Sequence, residues 1–174
     1  MTISKLPFFI LTGLVALGMF TLSAATYAQG KQTIGWVERV GITDDGFQLH
    51  AKIDTGADNS AINAPDLEFF ERDGVRWVRF SLLNREGRNI TLARPLVKKV
   101  RIKRNGNGGE RRWVVKLGLC IGNVYKVVNV NLGGRDRHKY QMLVGRSFLA
   151  GSFLVDSSLK YTKDPGCKGH EVNG

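Results

Sequence analysis

The chain has 174 residues, enough for a single domain with one substantial core. Lysine and arginine number 26 against 15 aspartates and glutamates, a net charge of +11, which predicts attraction to anionic surfaces, acidic polymers or acidic peptides. No G-x-x-x-x-G-K-[ST] phosphate loop and no H-E-x-x-H occurs, so neither ATP nor zinc chemistry finds support, and no cofactor is expected.

In chain order, Lys5 precedes an uncharged apolar run from Leu6 to about Leu22. Small and polar residues follow, ending in Thr26-Tyr27-Ala28. This three-part layout predicts a secretory signal peptide over residues 1–28, cleaved after Ala28, and an exported, periplasmic protein. The competing reading is an uncleaved anchor, the one case in which a membrane becomes a partner. Removing the leader takes away Lys5 alone among the charged residues, so the mature chain stays strongly basic.

The remaining texture predicts an all-β domain over residues 29–161, a small closed barrel or sandwich, with a flexible tail over 162–174. Thr33–Ile42 is β-branched and apolar and breaks at Asp44-Asp45-Gly46. From Phe47 to Ile53 the pattern alternates, with Phe47, Leu49, Ala51 and Ile53 on one face and Gln48, His50 and Lys52 on the other. That strand delivers Asp54 at its end. Val75–Leu83 alternates again, a turn at Asn84–Gly87 follows, and Arg88–Leu92 continues. Leu96–Arg104 and Arg111–Leu119 are basic, β-branched arms around Asn105-Gly106-Asn107-Gly108-Gly109, the best hairpin signal in the chain. Val124–Leu132, Gln141–Val144 and Phe153–Asp156 read as further strands, with one helical turn at Arg146–Ala150.

Chemistry centres on Asp54-Thr55-Gly56-Ala57. Taken alone, a D-T-G is an Asx-type turn whose aspartate accepts local backbone N–H groups. Other residues point further: Asp58 stands four positions after Asp54, and Leu143-Val144-Gly145-Arg146 lies downstream with Phe148 and Leu149 beyond it. Together these resemble the retropepsin-type aspartic peptidases, in which a D-T-G-A turn carries the catalytic aspartate above an apolar-apolar-Gly-Arg segment that leads into a short helix. The chain is most similar to a bacterial retropepsin-like family often labelled ATP-dependent zinc proteases. The matching stretches are Ile34-Gly35-Trp36, Ala51 to Ala57 with Ser60-Ala61, Trp77-Val78-Arg79-Phe80, and Met142 to Leu149 with Val155-Asp156. The metal in that label has no basis here: His50, His138 and His170 are scattered, and Cys120 and Cys167 lack ligand spacing. In an oxidising compartment the two cysteines have the option of a disulfide; a buried free thiol at Cys120 is the alternative.

The resemblance implies a barrel of retropepsin type with one short helix, and a role for each site residue. Asp54 would meet Asp54 of a second copy across a two-fold axis, because paired carboxylates sharing a proton need two aspartates and the chain has one such motif. Thr55 would bond across that interface. Gly56 and Ala57 would bring backbone close to the carboxylates and substrate. Asp58 and Arg146 would form a bidentate ion pair beside Gly145, bracing the turn. A hairpin flap would close over the substrate, with Asn105–Gly109 the first candidate and Asn84–Gly87 the second.

The expected function is therefore an exported, homodimeric aspartic endopeptidase acting on peptides or amide-linked acidic polymers. A second reading keeps the barrel as a non-catalytic module that holds an anionic partner on its basic hairpin. Nucleic acid is not an expected partner, since charge alone prompts it and no recognised binding motif is present.

Overall fold

The computed structural model describes residues 30–43, 45–102, 110–135 and 138–167, among which eleven strands and one helical turn form an all-β fold. Strands β1 (Gln32–Gly35) and β2 (Val37–Gly41) split the first predicted strand at Trp36, whose N–H leaves the ladder for the Leu159 carbonyl at 2.9 Å. β3 (Gln48–Ile53), β4 (Ser60–Asn63), β5 (Leu67–Arg72), β6 (Val75–Leu83) and β7 (Asn89–Ile102) follow. Then come β8 (Glu110–Ile121), β9 (Val124–Gly133), β10 (Met142–Val144), helix α1 (Arg146–Leu149) and β11 (Phe153–Asp156).

Six strands in the order β2-β3-β10-β4-β9-β8 make a closed barrel, β8 returning to β2 through the Gly41–Cys120 pair. Alternation sets the inside: Leu49, Ala51 and Ile53 are buried, whereas Gln48, His50 and Lys52 face outward with partial or full exposure. Val78, Phe80 and Leu82 of β6 join the same apolar core. β7, β6 and β5 continue the sheet beyond β8, and β1 pairs in parallel with β11 at the side. Gly118 has no room for a side chain, since a Cβ there would fall 2.1 Å from the Tyr125 hydroxyl.

Two expectations change. The stretches read as separate strands at Arg88–Leu92 and from Leu96 are one strand, β7, running through Pro95. Pro95 sits where β7 hands its pairing from β6 to β8, with a bulge between Leu96 and Lys98, so its missing N–H breaks no continuous ladder. A further hairpin joins β5 and β6 at Asp73-Gly74, both with positive φ (52° and 72°), as a tight two-residue hairpin turn requires.

The segment expected to be a flexible tail is, as far as Cys167, a strap along β2. The Tyr161 N–H bonds the Val37 carbonyl at 2.8 Å. The fully buried Glu38 carboxylate accepts from Gly35 N–H (2.7 Å), Thr162 N–H (2.9 Å) and the Thr162 hydroxyl (2.7 Å). Arg39 pairs with Asp164 at 2.9 Å, and a disulfide joins Cys167 to Cys120 with the Cα atoms 6.1 Å apart. The strap thus crosses the barrel seam at the Gly41–Cys120 pair, its thinnest point. The predicted leader at 1–28 and the Asn105–Gly109 tip lie outside the described residues.

Candidate active site

β3 ends where its parallel neighbour β10 does, Ile53 opposite Val144, and the Asp54 N–H bonds the Val144 carbonyl at 2.9 Å. The chain then reverses. Gly56 N–H donates to Asp54 Oδ1 at 3.0 Å and Ala57 N–H to the Asp54 carbonyl at 3.3 Å. The turn therefore has Asx-turn geometry, in which the local N–H of Gly56 fixes one carboxylate oxygen. A Cβ at position 56 would lie 3.2 Å from Oδ1, tight enough to disturb that bond.

The segment after β10 clasps the turn from below. Gly145 N–H donates to Ser60 Oγ (3.2 Å), Arg146 N–H to the Ala57 carbonyl (2.8 Å) and Ser147 N–H to the Asp58 carbonyl (2.9 Å). Gly145 is required by close approach: a Cβ there would sit 2.7 Å from the Asn59 backbone and 2.9 Å from the Ala57 carbonyl oxygen. The Arg146 guanidinium binds two different groups, Nη1 donating to the Thr55 carbonyl at 2.8 Å and Nη2 to Asp58 Oδ1. The brace expected from the sequence is thus a fork split between backbone and carboxylate, not a bidentate pair on Asp58. The split ties both ends of the turn with one side chain. Below it, Lys126 Nζ bonds the Phe148 (2.8 Å) and Ala150 (2.9 Å) carbonyls at the end of α1, and its burial lowers its pKa.

Asp54 and Ala57 are half-buried; Thr55, Gly56 and Asp58 are exposed. The turn therefore presents an open face. Ser60 supports it through the Gly145 N–H, a role that the sequence did not suggest, and Arg135 is an unexpected buried charge elsewhere on the barrel. Arg135 is only 7% exposed, and its backbone N–H donates to Asn63 Oδ1. Burial and the nearby Arg112 lower its pKa, while the charge of Asp54 raises it, so the guanidinium lies within electrostatic reach of the aspartate. A single arginine in a Gly-Gly-Arg turn carries no periodic signal that could have revealed this.

The second flap candidate is docked. In the Asn84–Gly87 turn, Arg85 Nη2 donates to the Lys139 carbonyl at 3.2 Å and Glu86 stands 3.7 Å from His50 Nε2, while the following Arg88 pairs with Asp45. A cavity of about 620 Å³ opens at the other end of β2 and β3, lined by Gly41, Phe47, Tyr125, Pro165 and the disulfide; no residue of the Asp54 turn touches it. Among the described residues no group of three or more His, Cys, Asp or Glu stands together as a metal site, and both cysteines are bonded to each other.

Residues 33–166 match the model of the RimB-like family, described as the retropepsin-like aspartic endopeptidase RimB. The chain belongs to this family. The match spans the whole barrel and most of the strap, so the RimB-like fold includes the C-terminal segment. A probable alpha-L-glutamate ligase of Desulfotalea psychrophila is 29% identical over 134 residues, covering 75% of this chain and 29% of that protein. Its counterpart in Shewanella pealeana is 31% identical over 113 residues, covering 63% of this chain and 25% of that protein. The chain thus spans about a quarter of the length of these curated relatives. A solved structure of a Legionella pneumophila protein of unknown function is 29% identical, with a TM-score of 0.67, covering 76% of this chain and 98% of that one.

Proposed function

We propose that this RimB-like protein is an exported aspartic endopeptidase, assembled as a homodimer, that hydrolyses peptide bonds in acidic, glutamate-rich chains. The observation that carries the reading is the Asp54 turn: a carboxylate with one oxygen fixed by Gly56 N–H, on an exposed reversal clamped by Gly145 and Arg146. One such carboxylate is half of a water-activating pair. Two copies related by a two-fold axis bring Asp54 to its twin. In the pair one carboxylate is ionised and takes a proton from a water held between them. The other is protonated and polarises the scissile carbonyl, then gives its proton to the departing amine. The shared proton belongs to the pair.

The substrate class draws on two supports. The chain is strongly basic, and its longer relatives carry the name alpha-L-glutamate ligase. A barrel with a retropepsin turn and no phosphate loop fits the breaking of glutamate amide bonds better than their ATP-driven making. Export is supported by the Cys120–Cys167 disulfide, a bond that persists in oxidising compartments, together with the leader-like first 28 residues.

The test is turnover of an α-linked glutamate oligomer by the mature protein and by its Asp54→Asn variant. The variant is expected to fold normally and lose about a thousandfold or more in rate, the upper range for removing a general acid–base group. Hydrolysis at the parent rate by Asp54→Asn would overturn the mechanism. A strictly monomeric parent that binds the oligomer without cleaving it would favour the binding-module reading instead.

A further inference from the structure

The β5–β6 hairpin extends the sheet beyond the closed barrel and ends the nine-stranded order at β5. Residues 45–102, which hold the hairpin and both its flanks, lie wholly within the described chain. β5 pairs with β6 in unbroken register, from Leu67 opposite Phe80 to Arg72 opposite Val75. Sheet edges are ordinarily blunted by lysine, proline or a bulge, because their unpaired backbone groups recruit other strands. β5 has none of the three.

The turn at Asp73-Gly74 sets which groups the edge offers. A tight turn bonds its first carbonyl to its fourth N–H, here Arg72 to Val75, and bonded and non-bonded pairs then alternate along the hairpin. Glu68, Phe70 and Arg72 therefore direct their backbone groups to β6, while Leu67, Phe69 and Glu71 direct theirs to the open edge. Side chains divide the same way, so Glu68, Phe70 and Arg72 share one face. On that face Phe70 stacks on Trp77 with centroids 6.2 Å apart, and Glu68 Oε2 accepts from Arg79 at 2.8 Å. The Glu68 and Arg72 side chains are each 65% exposed, and Arg72 has Asp73 at 3.7 Å, a long contact between exposed groups.

We propose that β5 pairs antiparallel with β5 of a second copy, across a two-fold axis at Phe70. Only residues 67, 69 and 71 carry edge-facing backbone groups, so these must bond one another, and the axis must fall on a residue. An axis at Glu68, Glu71 or Arg72 sets like charges directly opposite. An axis at Phe69 sets Glu68 against Phe70 and leaves Arg72 beyond the end of the partner strand. The axis at Phe70 joins Phe70 to its twin and Glu68 to Arg72 of the other copy, twice. These are the non-hydrogen-bonded pairs, whose side chains stand closest. The contact goes beyond the peptidase reading and is separate from a two-fold at Asp54.

A cysteine at position 70 tests it, because a residue on the axis meets its own twin. Cα atoms of a non-hydrogen-bonded pair stand about 4.5 Å apart, within disulfide reach, and the native cysteines are already bonded to each other. In oxidised glutathione Phe70→Cys is expected to form covalent dimers, read by intact mass, far faster than Leu83→Cys. Leu83 is 52% exposed on the same face, at the far end of β6. Adding Glu68→Arg or Arg72→Glu to Phe70→Cys sets like charges opposite one another. Either change is expected to slow linking about tenfold, the scale of reversing two cross-strand charge pairs. Mixing the two charge variants puts opposite charges back and is expected to restore linking, as mixed dimers. Phe70→Cys linking no faster than Leu83→Cys leaves the edge to another strand or to solvent and overturns the proposal. Charge variants that each link alone at the undisturbed rate overturn it too, as does a mixture without mixed dimers. The Phe70→Cys comparison decides the matter by itself should a charge variant fail to fold. Since the readout does not involve Asp54, it holds or fails independently of the peptidase reading.

Discussion

The Asp54 turn lies at the ends of β3 and β10 and the C-terminal strap runs along β2 to Cys120 of β8, and the two are held to the barrel differently. The turn spans residues 54–60 and is secured by short hydrogen bonds from 145–147, one glycine contact and an arginine fork whose side chain is half exposed. The strap spans residues 159–167 and is secured by a fully buried glutamate and a disulfide. The difference separates two tasks. On the proposed reading the turn has to accept water, substrate and a second copy, so it cannot be covered and its rigidity comes from beneath. A seam that only has to stay shut can be closed covalently from outside.

Breaking the strap should cost the most stability. Replacing Cys120 and Cys167 together by serine opens a loop with a sequence separation of 47 residues. On the chain-entropy estimate for such a loop the loss is about 4 kcal/mol, seen as a lower denaturation midpoint. Activity per folded molecule should be unchanged, because no residue of the Asp54 turn touches the strap's cavity. Gly145→Ala attacks the turn instead. Its new Cβ would meet the Asn59 and Ala57 backbones. Forcing it in should cost about 1–3 kcal/mol and, unlike the cysteine change, depress turnover of the molecules that remain folded. These two variants together test whether stability and chemistry are held by separate regions.

The smallest effect concerns pH. His50 sits under the strap, its Nδ1 3.0 Å from the Tyr161 hydroxyl. Burial first, then Arg85, lowers its pKa below the ordinary 6.5, and Glu86 offsets this in part. A depressed histidine is neutral in both states above that value, so it costs nothing there. As pH falls through 6.5 the unfolded chain takes up the proton first and stability declines until the folded-state pKa is passed. His50→Gln should flatten this part of the stability curve measured from pH 7.5 to about 5.

Much of this arrangement could be read from the residues, and the gaps have physical causes. β3 and β6 were legible because one face of each is buried and alternation is enforced. β5 was not: Leu67–Arg72 is an edge strand, largely exposed, so burial imposes no pattern on its paired phenylalanines. The Asp54–Arg146 neighbourhood was legible through a resemblance spread over several motifs, while the split of the arginine fork depends on where the Thr55 carbonyl points. Arg135 was invisible, because burial of a lone loop arginine is decided by strands far away in sequence. The strap was half legible, since two cysteines permit one pairing without stating it.

The claim that most needs testing is that two copies of one turn make the site. The parent chain is co-folded with an equal amount of Asp54→Asn and the turnover per parent chain is measured. Random pairing of an obligate two-aspartate site predicts about half the activity per parent chain, since mixed pairs carry only one competent carboxylate. Full activity per parent chain in the mixture would contradict a site shared between copies.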